Sequence, residues 1–219
     1  MTRYMIQTVV LLFVLTVAIP LWAQVPVILI SDNEEGLVPV HPDSLDVQVE
    51  ITGFLAETQI EMHFINPNDQ VLEGELVFPL PQGAVVTGYG LDVGGEIVEG
   101  VAIERQRARV AFETETRQQV DPGLLEWVQG SVYRTRIFPF PAGGGRTIRV
   151  SYTSDLATSS EGTYYRLPLA YQEALSTFNI RVAVNRGEVA PTVTAGLDNA
   201  LTFCHWEEEW VAEKKLSDI

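Results

Sequence analysis

Histidine, cysteine and clustered carboxylates are the side chains here with the means to do chemistry, and their spacing decides which chemistry is open to them. The three histidines, His41, His63 and His205, stand far apart in the chain. None falls in a spacing such as H-E-x-x-H, where an i, i+4 pair on one helix face presents two imidazoles to zinc. Cys204 directly precedes His205. Neighbours along a strand point to opposite faces, so a nucleophile and its base do not meet from those positions. Cys204 reads instead as a small hydrophobe in a strand. "GYGLDVGG" at Gly88 to Gly95 lacks the G-x-G-x-x-G spacing and the following helix that would present amides to a pyrophosphate, and hairpin glycines explain it better. "SDNEEG" at Ser31 to Gly36 puts glycine fifth counting from Asp32, where an EF-hand loop needs it sixth. Neither a G-x-S-x-G elbow nor a phosphate loop occurs. These patterns yield no catalytic, cofactor-binding or metal-ligating residue. An irregular calcium site among the acids competes with the plainer reading of a solvated acidic face.

The bulk charge narrows the partners. A formal net charge of −15 and a pI near 4.5 exclude nucleic acid, which needs a basic footprint to displace counterions from phosphates. An acidic membrane surface is excluded on the same ground. At the N-terminus, Arg3 precedes an apolar run from about Val9 to Ile19, then Pro20 and the small Ala23, which is the plan of a secretory signal over residues 1–23. The competing reading is an uncleaved anchor, since no charge occurs from Tyr4 through Ser31 and roughly 20 apolar residues span a bilayer. Membrane contact is expected only in that second case. Both readings send the rest of the chain out of the cytoplasm, to the periplasm, the cell surface or the medium. With Cys204 as the single cysteine, no intramolecular disulfide is available, so the core must suffice by itself.

The elements that must position these residues are mostly strands. Leu45, Val47, Val49 and Ile51 alternate with Asp46, Gln48, Glu50 and Thr52, and Thr58, Ile60, Met62 and Phe64 alternate with Gln59, Glu61 and His63. That period of two predicts half-buried antiparallel strands, the second closed by turn chemistry in "NPND" at Asn66 to Asp69. Leu72, Gly74, Leu76 and Phe78 supply a third strand, and Gly94 with Gly95 reverse a hairpin in "VVTGYGLDVGGEIVEGVA". Further strands are expected in "SVYRTRIFPFP", in "RTIRVSYT" after the Gly143 to Gly145 turn, in "TYYRLPLA" and in "STFNIRVAV". Between them, residues 104–119 contain no proline or glycine, and Ala108, Ala111 and Phe112 fall at i, i+3 and i+4. One short helix with a narrow apolar stripe is predicted there, ended by "DPG". The fold class is therefore mainly β, an antiparallel β-sandwich with one short α-helix at about 104–119. Large core members are expected at Phe78, Phe112, Trp127, Phe138 and Tyr152, and the Gly143 to Gly145 turn is expected to tolerate substitution.

Charge is unevenly spread along this plan. Residues 24–100 hold 14 acids and no Lys or Arg, whereas residues 101–150 hold eight arginines against five acids. A compact state would repel itself unless something offsets the acidic half. We therefore expect Arg105, Arg107, Arg109, Arg134 and Arg136 to lie across the acidic strands as a brace rather than form a ligand patch.

Five phrases in order also resemble a known family. They are "FINP" at Phe64 to Pro67, "EGELVFPLPQGAVVTGY" at Glu73 to Tyr89 and "GGEIVEGVAIERQRARVAFE" at Gly94 to Glu113. "DPGLLEW" at Asp121 to Trp127 and "YRTRIFPFPAGGGRTIRVSYT" at Tyr133 to Thr153 follow them. Over about residues 38–156 the chain resembles the vault protein inter-alpha-trypsin (VIT) domain. The resemblance implies a β-rich module without catalytic activity, found in secreted and surface proteins before a von Willebrand factor A domain, as in inter-alpha-trypsin inhibitor heavy chains. Those heavy chains associate with hyaluronan and matrix. Residues 157–219 then read as further strands and an acidic tail leading toward a von Willebrand factor A domain whose D-x-S-x-S motif this sequence lacks. The expectation is a non-enzymatic exported interaction module that docks such a domain or another extracytoplasmic protein, through loops such as "NPND" and "AGGG". The alternative is a calcium- or carbohydrate-binding adhesin, using its acidic face on an extracellular polysaccharide.

Overall fold

The computed structural model describes residues 25–32, 36–100, 102–104, 125–129, 132–160, 162–168, 174–185, 187, 189–194, 196 and 201–217. The strands, in chain order, are β1 (Val27–Asp32), β2 (Gly36–Val40), β3 (Pro42–Thr52), β4 (Leu55–Ile65), β5 (Leu72–Pro79), β6 (Val85–Val93), β7 (Glu96–Gly100) and β8 (Ala102–Glu104). They continue with β9 (Leu125–Gln129), β10 (Val132–Phe140), β11 (Gly145–Asp155), β12 (Ala157–Ser159), β13 (Gly162–Tyr164), β14 (Thr177–Asn185), β15 (Cys204–Trp206) and β16 (Glu209–Ser217). A six-stranded sheet runs β2-β1-β5-β10-β9-β8 and an eight-stranded sheet runs β15-β16-β14-β3-β4-β11-β6-β7, with β12 and β13 forming a separate pair.

Alternation builds the interior. On β4, Thr58, Ile60, Met62 and Phe64 point inward, and on β11 Ile148, Val150 and Tyr152 do the same, as period-two patterning dictates. One continuous core joins Ile28, Leu76, Phe78, Ile137 and Phe140 of the smaller sheet to Val47, Met62, Tyr89, Val150 and Ile180 of the larger. The two sheets therefore pack face to face as a sandwich. Gly74 lies on the inner face of β5, where an added Cβ would run into the Ile28 side chain of β1. Glycine there is what lets the Ile28 branch fill the space.

Several expectations change. Phe138 is 51% exposed and is not a core member. Thr135 and Ile137 hold the inner face of β10, so Phe138 falls outward, and an irregularity between Ile137 and Phe140 returns Phe140 to the interior. The sandwich is not wholly antiparallel, because β14 lies parallel to β3 and β8 parallel to β9. The expected helix begins at Glu104, which instead ends β8, and the rest of it lies outside the described residues, as do Phe112, Arg105, Arg107 and Arg109. Trp127 lies on β9, Phe78 and Tyr152 are buried, and no helix occurs among the described residues. Residues 209–217 form β16, which pairs with β14 over its full length. Phe178, Ile180, Val182 and Ala212 bring this late segment into the common core.

Candidate interaction surfaces

The chemistry-bearing residues are scattered over this scaffold. His63 projects from the outer face of β4, its Nδ1 3.1 Å from Thr147 Oγ1 and its ring over Gly145. His41 joins β2 to β3. His205 sits on β15 with its ring edge-on to Trp210 at 4.9 Å. Cys204 is on a strand as expected, but it is exposed, because β15 is the outermost strand of its sheet and nothing among the described residues covers it. His205 turns toward Trp210 while Cys204 opposes Val211, so the two side chains leave opposite faces. Among the described residues no group of three or more His, Cys, Asp or Glu gathers at one point. "SDNEEG" spans the β1–β2 reversal, where Asp32 and Gly36 pair and residues 33–35 lie outside the described residues. "GYGLDVGG" is the β6–β7 hairpin, its Asp92 Oδ1 accepting from Gly95 N at 2.7 Å.

Two loops that sequence patterning marked as meeting points are joined by one buried side chain. Asn66 Nδ2 donates toward the carbonyls of Gln70, Phe140 and Pro141 at 2.9, 3.0 and 2.9 Å, and its Oδ1 accepts from Asn68 N at 2.9 Å. Backbone bonds from Asn66 N to Gly144 O and from Gly143 N to Asn68 O complete the clamp. A buried carboxamide with its donors and acceptor satisfied holds the 66–69 and 141–144 turns as one rigid unit. Sequence reading saw turn chemistry at Asn66 and missed the clamp, because its partners lie 74 and 75 positions away. The three glycines of the second turn are also not equivalent, contrary to expectation. Gly143 has φ +57° with open space around it, whereas a Cβ on Gly145 would clash with the edge of the His63 ring.

Four of the described arginines, Arg134, Arg136, Arg149 and Arg181, pair with acids of their own sheet. Arg134 meets Glu75 at 3.5 Å and Arg136 meets Glu73 at 2.9 Å, each reaching diagonally from β10 to β5. Arg149 of β11 spans Glu61 of β4 at 2.9 Å and Glu99 of β7 at 3.5 Å, and Arg181 of β14 meets Glu213 of β16 at 3.0 Å. Acidic strands are thus offset by arginines within the same sheet, and Arg149, which lay outside the proposed brace, bridges two of them. Only strand register, Arg149 opposite Glu61, reveals that role.

Three hydroxyls meet inside the sandwich. Tyr165 Oη lies 2.6 Å from the buried Thr58 Oγ1, and Tyr152 shares the cluster. Burial pushes the phenols of both Tyr165 and Tyr152 above their ordinary value, and in Tyr165 the neighbouring Tyr152 adds to the rise. These groups stay neutral and act as hydrogen-bonding struts.

Residues 42–152, from the first residue of β3 into β11, match the vault protein inter-alpha-trypsin domain, and that stretch is half of the chain. The chain belongs to the VIT domain family. Among curated proteins it is similar to rat von Willebrand factor A domain-containing protein 5A, 25% identical over 202 residues that make up 87% of this chain and 24% of the rat protein. It also resembles mouse protein mono-ADP-ribosyltransferase PARP4, 22% identical over 130 residues, 59% of this chain and 7% of that protein. The VIT chain thus spans a quarter or less of the length of these relatives. Its fold is similar to a Legionella pneumophila protein proposed to bind nutrients, with a TM-score of 0.53 and 10% identity, covering 89% of this chain and 66% of that one. The VIT family is one of non-catalytic interaction domains. The matched stretch omits β1, β2, β14, β15 and β16, which complete both sheets of the VIT sandwich seen here.

Proposed function

We propose that this chain is a non-enzymatic, exported docking module of the VIT type that supports a von Willebrand factor A-type domain. The observation that carries the reading is the alignment of 87% of the chain with a protein named for its von Willebrand factor A domain. The clamped turns at 66–69 and 141–144 supply a rigid face of the kind a docking module needs, since pre-organised loops lose little entropy on association. Support for export comes from the signal-like pattern of residues 1–23. The test is to purify the von Willebrand factor A domains encoded in the source genome and titrate each into the full chain by calorimetry. Saturable binding of at least one, at micromolar Kd or tighter, is the expected result, and heats no larger than dilution for every domain would reject the reading.

A second reading, adhesion to a polysaccharide, draws on one feature of the eight-stranded sheet. Asp46, Gln48, Asn179, Arg181, Glu213 and Lys215 line an open depression of about 470 Å³ on its outer face. Asp46 accepts hydrogen bonds there from Gln48 at 3.3 Å and from Asn179 at 3.2 Å. Such a row of donors and acceptors suits polyhydroxylated ligands, and titration with a polysaccharide panel, scored against an Asp46→Ala variant, tests it.

A further inference from the structure

Val38 and Val40 on β2, Pro42 at the start of β3, Ile65 at the end of β4, Pro67 after it, and Ala174 line a depression of about 310 Å³. Seven of its nine lining residues are apolar, His41 and Asp43 being the exceptions, and three prolines, at positions 39, 42 and 67, remove backbone donors from its rim. Ile65, at the edge, is 43% exposed. We infer that this groove seats the von Willebrand factor A-type partner, an inference that rests on the docking function proposed above and adds where and through which residues contact is made.

Strand register singles out this groove. Thr177, three residues after Ala174, pairs on one side with Ser217, the last residue of β16, and on the other with Ser44 of β3. Ser176 binds Asp43 through N to Asp43 O at 2.8 Å and through Oγ to Asp43 O at 3.0 Å and Oδ2 at 2.7 Å, so the Ala174 wall is tied to the β3 wall. Neighbouring strands are about 4.8 Å apart, which puts the C-terminal end of β16 roughly 10 Å from Ser44 and beside the groove. The C-terminal end of β16 therefore opens onto this face, so that a domain joined there would be held at high effective concentration relative to it. The groove is stiffened from below, because Pro67 lies inside the turn that Asn66 clamps.

Another group of exposed apolar side chains, Phe54, Leu55 and Val85, lies at the opposite end of the same sheet. From Ser44, level with the end of β16, to Thr52 at the far end of β3 is about 26 Å at 3.3 Å per residue. That separation keeps Phe54, beyond Thr52, away from the β16 exit and makes it the internal control.

The experiment uses the full chain and whichever purified von Willebrand factor A domain binds it in the calorimetric panel. Ile65→Asp and, separately, Ala174→Asp should weaken Kd by at least about tenfold, as expected for a charge placed in an apolar contact. Phe54→Ser and Val85→Ser should stay within about twofold of the parent. Both groove positions are exposed, and thermal unfolding of each variant checks that it retains the parent fold; either folded groove variant decides the outcome. Parent-like binding by a folded groove variant, or loss confined to Phe54→Ser and Val85→Ser, overturns the groove while leaving the docking function standing. Absence of binding by every domain overturns both.

Discussion

At Asn66 a single carboxamide answers three carbonyls and one amide drawn from two loops. An aspartate there has the same shape and no donor, and it would set a carboxylate against the Phe140 and Pro141 oxygens. Asn66→Asp should therefore lower the unfolding free energy by roughly 2–4 kcal/mol in urea titration, from lost bonds and a buried unpaired charge. Gly145 makes a second case. An alanine there has to displace the His63 ring and approach Phe64 O at 3.1 Å, so Gly145→Ala should cost about 1–3 kcal/mol. Gly143→Ala meets open space and pays only for its left-handed φ, about 1 kcal/mol. Comparing the two urea midpoints checks the order. These roles were half legible. "NPND" and "GGG" announced turns through residue type, whereas the contact of one turn with the other depends on how two distant hairpins stack.

Among the elements, β14 and β16 extend the sheet beyond the family match. β14 covers the edge of β3 in parallel register from Thr177 to Asn185, and β16 covers β14 in turn. A chain cut after residue 156 would expose the whole β3 edge and lose Phe178, Ile180 and Val182 from the core, each contributing on the order of 1.5–3 kcal/mol. We expect that truncated chain to show no cooperative thermal transition, or to aggregate, while the full chain melts in one step. Phase along the strand was legible here, since Phe178, Ile180 and Val182 alternate and do point inward. Which strand β14 joins was not, because a parallel partner is set by the crossover path and leaves no local mark. β1 was missed for a related reason. Its Val27 to Ile30 run continues the uncharged N-terminal stretch, and hydropathy by itself does not separate a buried strand from a leader.

For the molecule as a whole, stability should have an alkaline limit set by the interior. Tyr152 and Tyr165 have ordinary phenol values of 10.0, and burial raises both in the folded state. Above pH 10 the unfolded chain releases these protons while the folded chain keeps them, so stability is full below that value and falls as pH rises beyond it. Melting temperatures measured from about pH 8 to pH 12 should decline at the upper end, and Tyr165→Phe should flatten the decline. An equal slope in that variant would remove Tyr165 as a cause. By itself the sequence determined strand phase, turn positions, the acidic balance and the family, because alternation, glycine and proline conformations and charge are properties of short stretches of chain. Tertiary structure alone decided that Phe138 faces outward, that Arg149 bridges β4 to β7, that Asn66 joins two turns and that the end of β16 lies beside the Ile65 groove. Each of those depends on register and on the stacking of two sheets, which relate residues far apart in the chain and are set by the packing of the common core.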